Sequence, residues 1–286
     1  MSTASGITHI SDTALWVATY RAQESARPDA LFHDPLAGRL AGQRGAHIAA
    51  AMPHARVMDW ILVVRTVAID RLIAQALALG VDTVLNLGAG LDTRPYRMQL
   101  PAALRWIEVD FASMIQYKEE HLAGEVPVCR LERMAIDLSD GAARRLLFQR
   151  IGAESGHVLV ITEGVIIYLS GAEAAALSSD LYAVPSFRFW IQDYRQGGLA
   201  AVPQRVRSAL GGSPFRFDEA DSIAHFQKQG WLVAEQIYAV DESLRIARPF
   251  PVPFPWSLLT PFMPRALKER WRRSAGYIMY RKADRP

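Results

Sequence analysis

What most limits the fold of this chain is a rhythm in which short apolar runs alternate with helix-forming segments from residue 83 to residue 192. The runs read as strands at Val84–Leu87, Arg105–Asp110, Val126–Arg130, His157–Leu169 and Ser186–Gln192. Between them, Met114–His121, Gly141–Ile151 and Gly171–Tyr182 suit helices, and Arg94–Gln99 suits a turn or short helix. Strand and helix in repeated alternation imply parallel strands joined by crossovers, and such a sheet needs cover on both faces. The expected class is α/β, a doubly wound sheet.

The flanks fit around that core. Helical spacing over Ser11–Ser25, a second helix opening at Asp34-Pro35, and a long amphipathic helix over Val57–Leu79 predict a helical cover across 1–79. The cofactor-binding core then spans 80–195, and the four glycines between Gln196 and Ser213 mark a lid insertion over 196–217. The rest, 218–286, reads as a helix over Asp218–Lys228 with Asp218 as its cap, a strand over Trp231–Tyr238, a helix over Ala266–Arg273 and a last strand over Gly276–Lys282. A segment with six prolines, 249–264, interrupts it and cannot be a central strand. All of this is expected to form one domain over 1–286.

Composition narrows the function. A net charge of +3 is too small for a nucleic-acid footprint. The first 20 residues lack a long apolar run, and no stretch of 18 uncharged apolar residues occurs, so neither a signal peptide nor a membrane span is expected. The single cysteine, Cys129, allows no internal disulfide and fits a reducing, cytoplasmic setting. The histidines are scattered without ligand spacing, so no metal is expected.

The chemistry concentrates in NLGAGLDTRPYRM, residues 86–98. Glycines just past an apolar strand permit a tight turn and let a ligand approach the backbone. Asp110 ends the next strand, 20 residues after Gly90, where a carboxylate can hold a ribose diol. Together they point to a nucleoside-type cofactor. A nicotinamide cofactor wants GxGxxG, whereas the third position here is Thr93, and Asp92 would repel a pyrophosphate. A cofactor with an uncharged linker and an amino-acid end suits the site better.

The runs VLNLGAGLDTRPYRM, WIEVDFASMIQYKEE and ITEGVIIYLS resemble the leucine carboxyl methyltransferase-like family, which includes bacterial polyketide O-methyltransferases. The resemblance implies S-adenosyl-L-methionine on a class I sheet of seven strands, the last antiparallel and inserted near an edge. By it, Gly88, Ala89 and Gly90 lie beside the methionine part, and Asp110 takes the ribose hydroxyls. Asp137 and Leu138 flank the adenine. Glu163 lines the methionyl end, and Arg65 grips the cofactor carboxylate. Arg21 stands where protein-methylating members carry lysine. Tyr20, Tyr194 and Glu163 are the candidate catalytic residues, with Tyr168 and Trp190 as further aromatic candidates for a pocket wall around the acceptor and the methyl group.

The expected activity is in-line O-methylation of a small-molecule carboxylate or hydroxyl, of aromatic or polyketide type, in secondary metabolism. Three readings stand beside it: a protein C-terminal carboxyl methyltransferase, a cofactor-binding protein without turnover, and a nucleotide-linked oxidoreductase. The acceptor pocket is expected under Tyr20, the 196–213 insertion and the segment around Trp256. A homodimer through the aromatics of that segment is the rival use for them.

Overall fold

The computed structural model describes residues 10–52, 54–202, 204, 214–252 and 262–283. Three helices come first, α1 (Ile10–Ser25), α2 (Ala37–Ala51) and α3 (Ala55–Ala78). The core follows as β1 (Thr83–Leu87), α4 (Arg94–Arg97), β2 (Arg105–Asp110), α5 (Ala112–His121), β3 (Arg130–Ala135), α6 (Gly141–Glu154), β4 (Val158–Thr162), α7 (Gly171–Ala183) and β5 (Phe187–Arg195). The described chain closes with α8 (Ser222–Gln227), β6 (Trp231–Tyr238), α9 (Ala239–Arg245), α10 (Arg265–Arg272) and β7 (Ala275–Lys282).

One seven-stranded sheet runs β3-β2-β1-β4-β5-β7-β6. Strands β1 to β5 pair parallel, and β7 lies antiparallel between β5 and β6. The expected inserted antiparallel strand is there. Side-chain alternation then builds two cores. Leu85, Ile107, Val160 and Trp190 point to one face, under α6 and α7. Val84, Trp106, Leu159 and Ile191 point to the other, where α3 supplies Ala68, Ile69, Leu72 and Ile73. Every residue of β1 and β4 is buried, which is why both read as unbroken apolar runs.

Several expected boundaries change. The third strand is Arg130–Ala135, not Val126–Arg130. Val126 is 83% exposed, and Pro127 has no amide proton to give a ladder. The true strand is charged because it is an edge whose charges are answered by its neighbour: Glu132 pairs with Arg105, and Arg133 with Glu108. The fourth strand stops at Thr162 rather than reaching Leu169. Gly164 turns the chain with a φ of 66°, and a 3-10 turn, Ile166–Tyr168, carries the remaining apolar residues. Helix α8 is capped by Asp221, which accepts from the amides of Ile223 and Ala224, while Asp218 accepts from Leu199 N. Helix α9, directly after β6, has no counterpart in the sequence reading. Residues 205–213 and the centre of the Pro-rich segment, with Phe254 and Trp256, lie outside the described residues.

Candidate active site

In an open α/β sheet the natural ligand crevice lies beyond the carboxyl ends of the strands, where the winding reverses. Here the reversal is between β1 and β4, and a cavity of about 880 Å³ opens above it. Its walls come from the exits of β1, β2, β4 and β5, from α1 and α3, and from the turn Gly198–Ala201.

The exit of β1 is pinned to its neighbour. The amides of Gly88 and Ala89 both donate to Val109 O, at 2.8 and 3.1 Å. Gly88 has a φ of +66°, and a Cβ there would come within 2.5 Å of Val165 Cγ2, so a side chain is excluded twice over. Gly90 N donates to Asp110 Oδ2 at 2.6 Å, and Phe111 N to Asp110 Oδ1 at 2.8 Å. Each carboxylate oxygen therefore has acceptor capacity left. Burial pushes the Asp110 carboxyl up, against the pull of those two amides. Farther along, Asp137 Oδ1 accepts from Ser139 N, and Leu138 O from Arg144 Nη1; both residues line the same cavity.

The opposite side is a buried charge cluster. Arg94 Nη1 donates to Glu163 Oε2 at 2.7 Å and to Asp92 Oδ2 at 2.9 Å, and its Nε donates to Asp70 Oδ1 at 2.6 Å. Arg97 makes two bonds to Asp70, and Asn86 donates to Asp92. Arg65 Nε faces Glu163 Oε1 at 2.7 Å as an ion pair, out of line for a hydrogen bond. Burial alone would raise the Glu163 carboxyl; Arg94 and then Arg65 overcome it and hold the carboxyl below its ordinary range. Asp92 is held low in the same way, burial being outweighed by Arg94 first, then Lys118 and Arg97. Among the described residues nothing bonds the two terminal nitrogens of Arg65, which lines the cavity.

A methionine-derived amino acid joined to a nucleoside fits this set of donors and acceptors. The free Arg65 nitrogens suit a carboxylate, the Asp110 oxygens a diol, and the glycine turn leaves bare backbone between them.

The family model described as leucine carboxyl methyltransferase matches residues 14–181. The chain belongs to the leucine carboxyl methyltransferase family. A relative from Parafrankia sp. (strain EAN1pec), assigned to the S-adenosyl-L-methionine-dependent methyltransferases, is 32% identical over 270 residues, covering 87% of this chain and 85% of its own. One with the same assignment from Mycobacterium sp. (strain KMS) is 30% identical over 277 residues, covering 87% and 91%. Among solved structures, a Thermobifida fusca protein described as a methyltransferase superposes with a TM-score of 0.58 at 13% identity, over 99% of this chain and 97% of that one. A duf574 family protein from Streptomyces avermitilis gives 0.54 at 16%, over 93% and 97%. At such identities the likeness concerns the fold alone.

The matched stretch of this family member holds Arg21, Arg65, Gly88, Ala89, Gly90, Asp110, Asp137, Leu138 and Glu163, all of them at the cavity. Arg21 lines the cavity and also ties α1 to the loop after the glycines: its Nε donates to Asp34 at 2.8 Å and its Nη2 to Leu91 O at 2.5 Å. Tyr194 lies beyond the matched stretch. It lines the cavity, accepts from Gln236 Nε2 at 2.8 Å, and is pushed up to about 12 by burial.

Tyr20 is a correction. It packs in a core of Trp16, Ile48, Met52 and Leu62 and does not line the cavity. Its helix presents a neighbouring stripe, Thr13, Trp16 and Val17, to that space instead. Trp190 is likewise core, its Nε1 donating to Thr162 Oγ1, while Tyr168 does line the cavity. Asp70, Arg94 and Arg97 were not singled out from sequence. Their signals were two arginines inside the RPYR run and an acid on an otherwise apolar stretch of α3.

Proposed function

We propose that this S-adenosyl-L-methionine-dependent methyltransferase methylates an oxygen of a small-molecule acceptor, a carboxylate or a hydroxyl. The observation that carries the reading is one large cavity shared by the free guanidinium nitrogens of Arg65, the Asp110 strand tip and an apolar, aromatic wall. In it, Arg65 would hold the cofactor carboxylate and Asp110 the ribose. Gly88, Ala89 and Gly90 would give backbone room, and Asp137 with Leu138 would flank the base. Bound S-adenosyl-methionine supplies a methyl on a positively charged sulfur, open to in-line attack by oxygen.

The remaining residues orient and exclude. Arg94 and Arg65 fix Glu163 as a carboxylate at the end of the cavity where the ammonium and sulfonium charges need an anion. Trp60, Phe215, Phe217, Phe250 and Trp271 supply a dry wall for an apolar acceptor. Proton removal is poorly provided for. Burial raises the phenols of Tyr168, Tyr194 and Tyr277, and the carboxyls of Glu163 and Asp92 are held low by arginines. His54 lines the outer part of the cavity, at the exposed start of α3 and about 16 Å along the helix from Arg65 at the charge cluster. A carboxylate needs no base, being ionised already, so it is the favoured acceptor over a phenol of pKa about 10.

Calorimetric titration tests the cofactor part: S-adenosyl-homocysteine is expected to bind with a dissociation constant on the order of micromolar, and NAD not measurably. The reverse preference ends the reading. Transfer of a labelled methyl group to aryl carboxylates rather than matched phenols tests the acceptor part.

A further inference from the structure

Arg195 is the last residue of β5, two after Asp193 and so on the same face of the sheet, in register with Ala275 of β7. It lines the cavity. Among the described residues its guanidinium makes no hydrogen bond and no ion pair. Every other arginine on the cavity wall has an acid: Arg21 has Asp34, Arg65 has Glu163, Arg94 has Asp70, Asp92 and Glu163, and Arg97 has Asp70. The acid closest in sequence, Asp193, accepts from Gly164 N at 2.6 Å and forms no ion pair with Arg195. Burial pulls the Arg195 pKa down, and the field of Asp193 and Tyr277 offsets that only in part. A guanidinium taken partly out of water without a counter-ion is costly, and its planar fork matches a carboxylate.

We propose that Arg195 is the specificity residue for the acceptor: its guanidinium receives an anionic group, a carboxylate, on an otherwise apolar small molecule. The proposal rests on the methyltransferase reading above, in which Arg65 already answers the cofactor carboxylate. Arg65 and Arg195 line the same cavity and both lie in the field of Asp193 and Tyr277, which offers one cation for each anion. The site is built by β5 and β7, outside the stretch that matches the family.

The test uses the full chain saturated with S-adenosyl-homocysteine and two probes of the same ring, 2-naphthoate and the neutral 2-naphthamide, with affinities read by calorimetry. Wild-type protein is expected to prefer the carboxylate by about tenfold or more. Arg195→Gln is expected to abolish the preference and Arg195→Lys to keep part of it, with S-adenosyl-homocysteine affinity unchanged in both. Equal binding of the two probes by the wild type, binding of neither, or a preference that survives Arg195→Gln would overturn the proposal. So would loss of S-adenosyl-homocysteine affinity in Arg195→Gln, which would make Arg195 a cofactor residue. Failure of the underlying reading looks different: the wild type itself would not bind S-adenosyl-homocysteine.

Discussion

Two buried charge clusters lie on either side of the glycine turn, and they differ in one respect. Under β2 and β3, Glu108 takes Lys118 Nζ at 2.7 Å and Arg133 Nε at 2.9 Å, while Arg133 Nη2 donates to the Tyr96 hydroxyl at 2.7 Å. Glu108 and Lys118 are fully buried and closed to solvent. Above β1 and β4, Arg65, Arg94 and Arg97 face Asp70, Asp92 and Glu163, but the cluster forms the floor of a cavity and Arg65 keeps unused donors there. Both hold arginine against carboxylate. Saturation and closure make the first a part of the architecture, because a buried charge without its partner is expensive. Leftover donors facing open space make the second a place for a ligand.

The largest expected effect breaks the closed cluster. Lys118→Met leaves Glu108 buried with Arg133 alone and should cost about 3–5 kcal/mol of folding stability, read by urea unfolding. Affinity of the folded fraction for S-adenosyl-homocysteine should stay close to wild type. If it falls in proportion to stability, the two clusters are one unit and the contrast is wrong. Next comes Asp110→Ala, which should weaken S-adenosyl-homocysteine by about 1.5–3 kcal/mol with little change in unfolding, since the carboxylate serves only two amides at a strand tip. Arg65→Lys follows, with about 1 kcal/mol or more of lost affinity, because a point charge does not replace a two-pronged contact. Unchanged affinity in either variant removes that residue from the cofactor site.

The smallest effect is in pH, and its sign separates the clusters. Glu163 and Asp92 have depressed carboxyls, so the stability they contribute is present above about pH 4 and is lost as pH falls through their folded values. Glu108 runs the other way. Burial raises it despite Lys118 and Arg133, so its contribution is present below its ordinary pKa and is lost as pH rises through the raised one. Unfolding free energies between pH 3 and 6 should therefore fall less steeply toward acid in Glu163→Gln than in wild type. In Glu108→Gln they should fall more steeply. The same change of slope in both variants would contradict the assignment.

The parts of the molecule legible in sequence were those set by local pattern. The parallel strands β1, β2, β4 and β5, the glycine turn and the Asp110 strand tip each depend on a few consecutive residues or on a fixed spacing. The third strand was misplaced because Glu132 and Arg133 look like surface until Arg105 and Glu108 are seen beside them. Arg94 could be quoted in its motif, yet its partners Asp70 and Glu163 come from α3 and the exit of β4, a tertiary fact with no local trace. Tyr20 was assigned to the pocket because α1 is covered on more than one side, so its apolar periodicity does not say which stripe meets the cavity. The pairing of Trp256 with the acceptor falls outside the described residues and stays an expectation from composition.

The central claim is that the open cluster is the methionyl end of a cofactor site. A crystal structure of the protein soaked with S-adenosyl-homocysteine measures it directly. The account predicts the cofactor carboxylate within hydrogen-bond distance of the Arg65 terminal nitrogens and the ribose hydroxyls on Asp110, with the Arg65–Glu163 and Arg94–Glu163 pairs intact. A carboxylate held elsewhere, with the Arg65 nitrogens still unbonded, would contradict it.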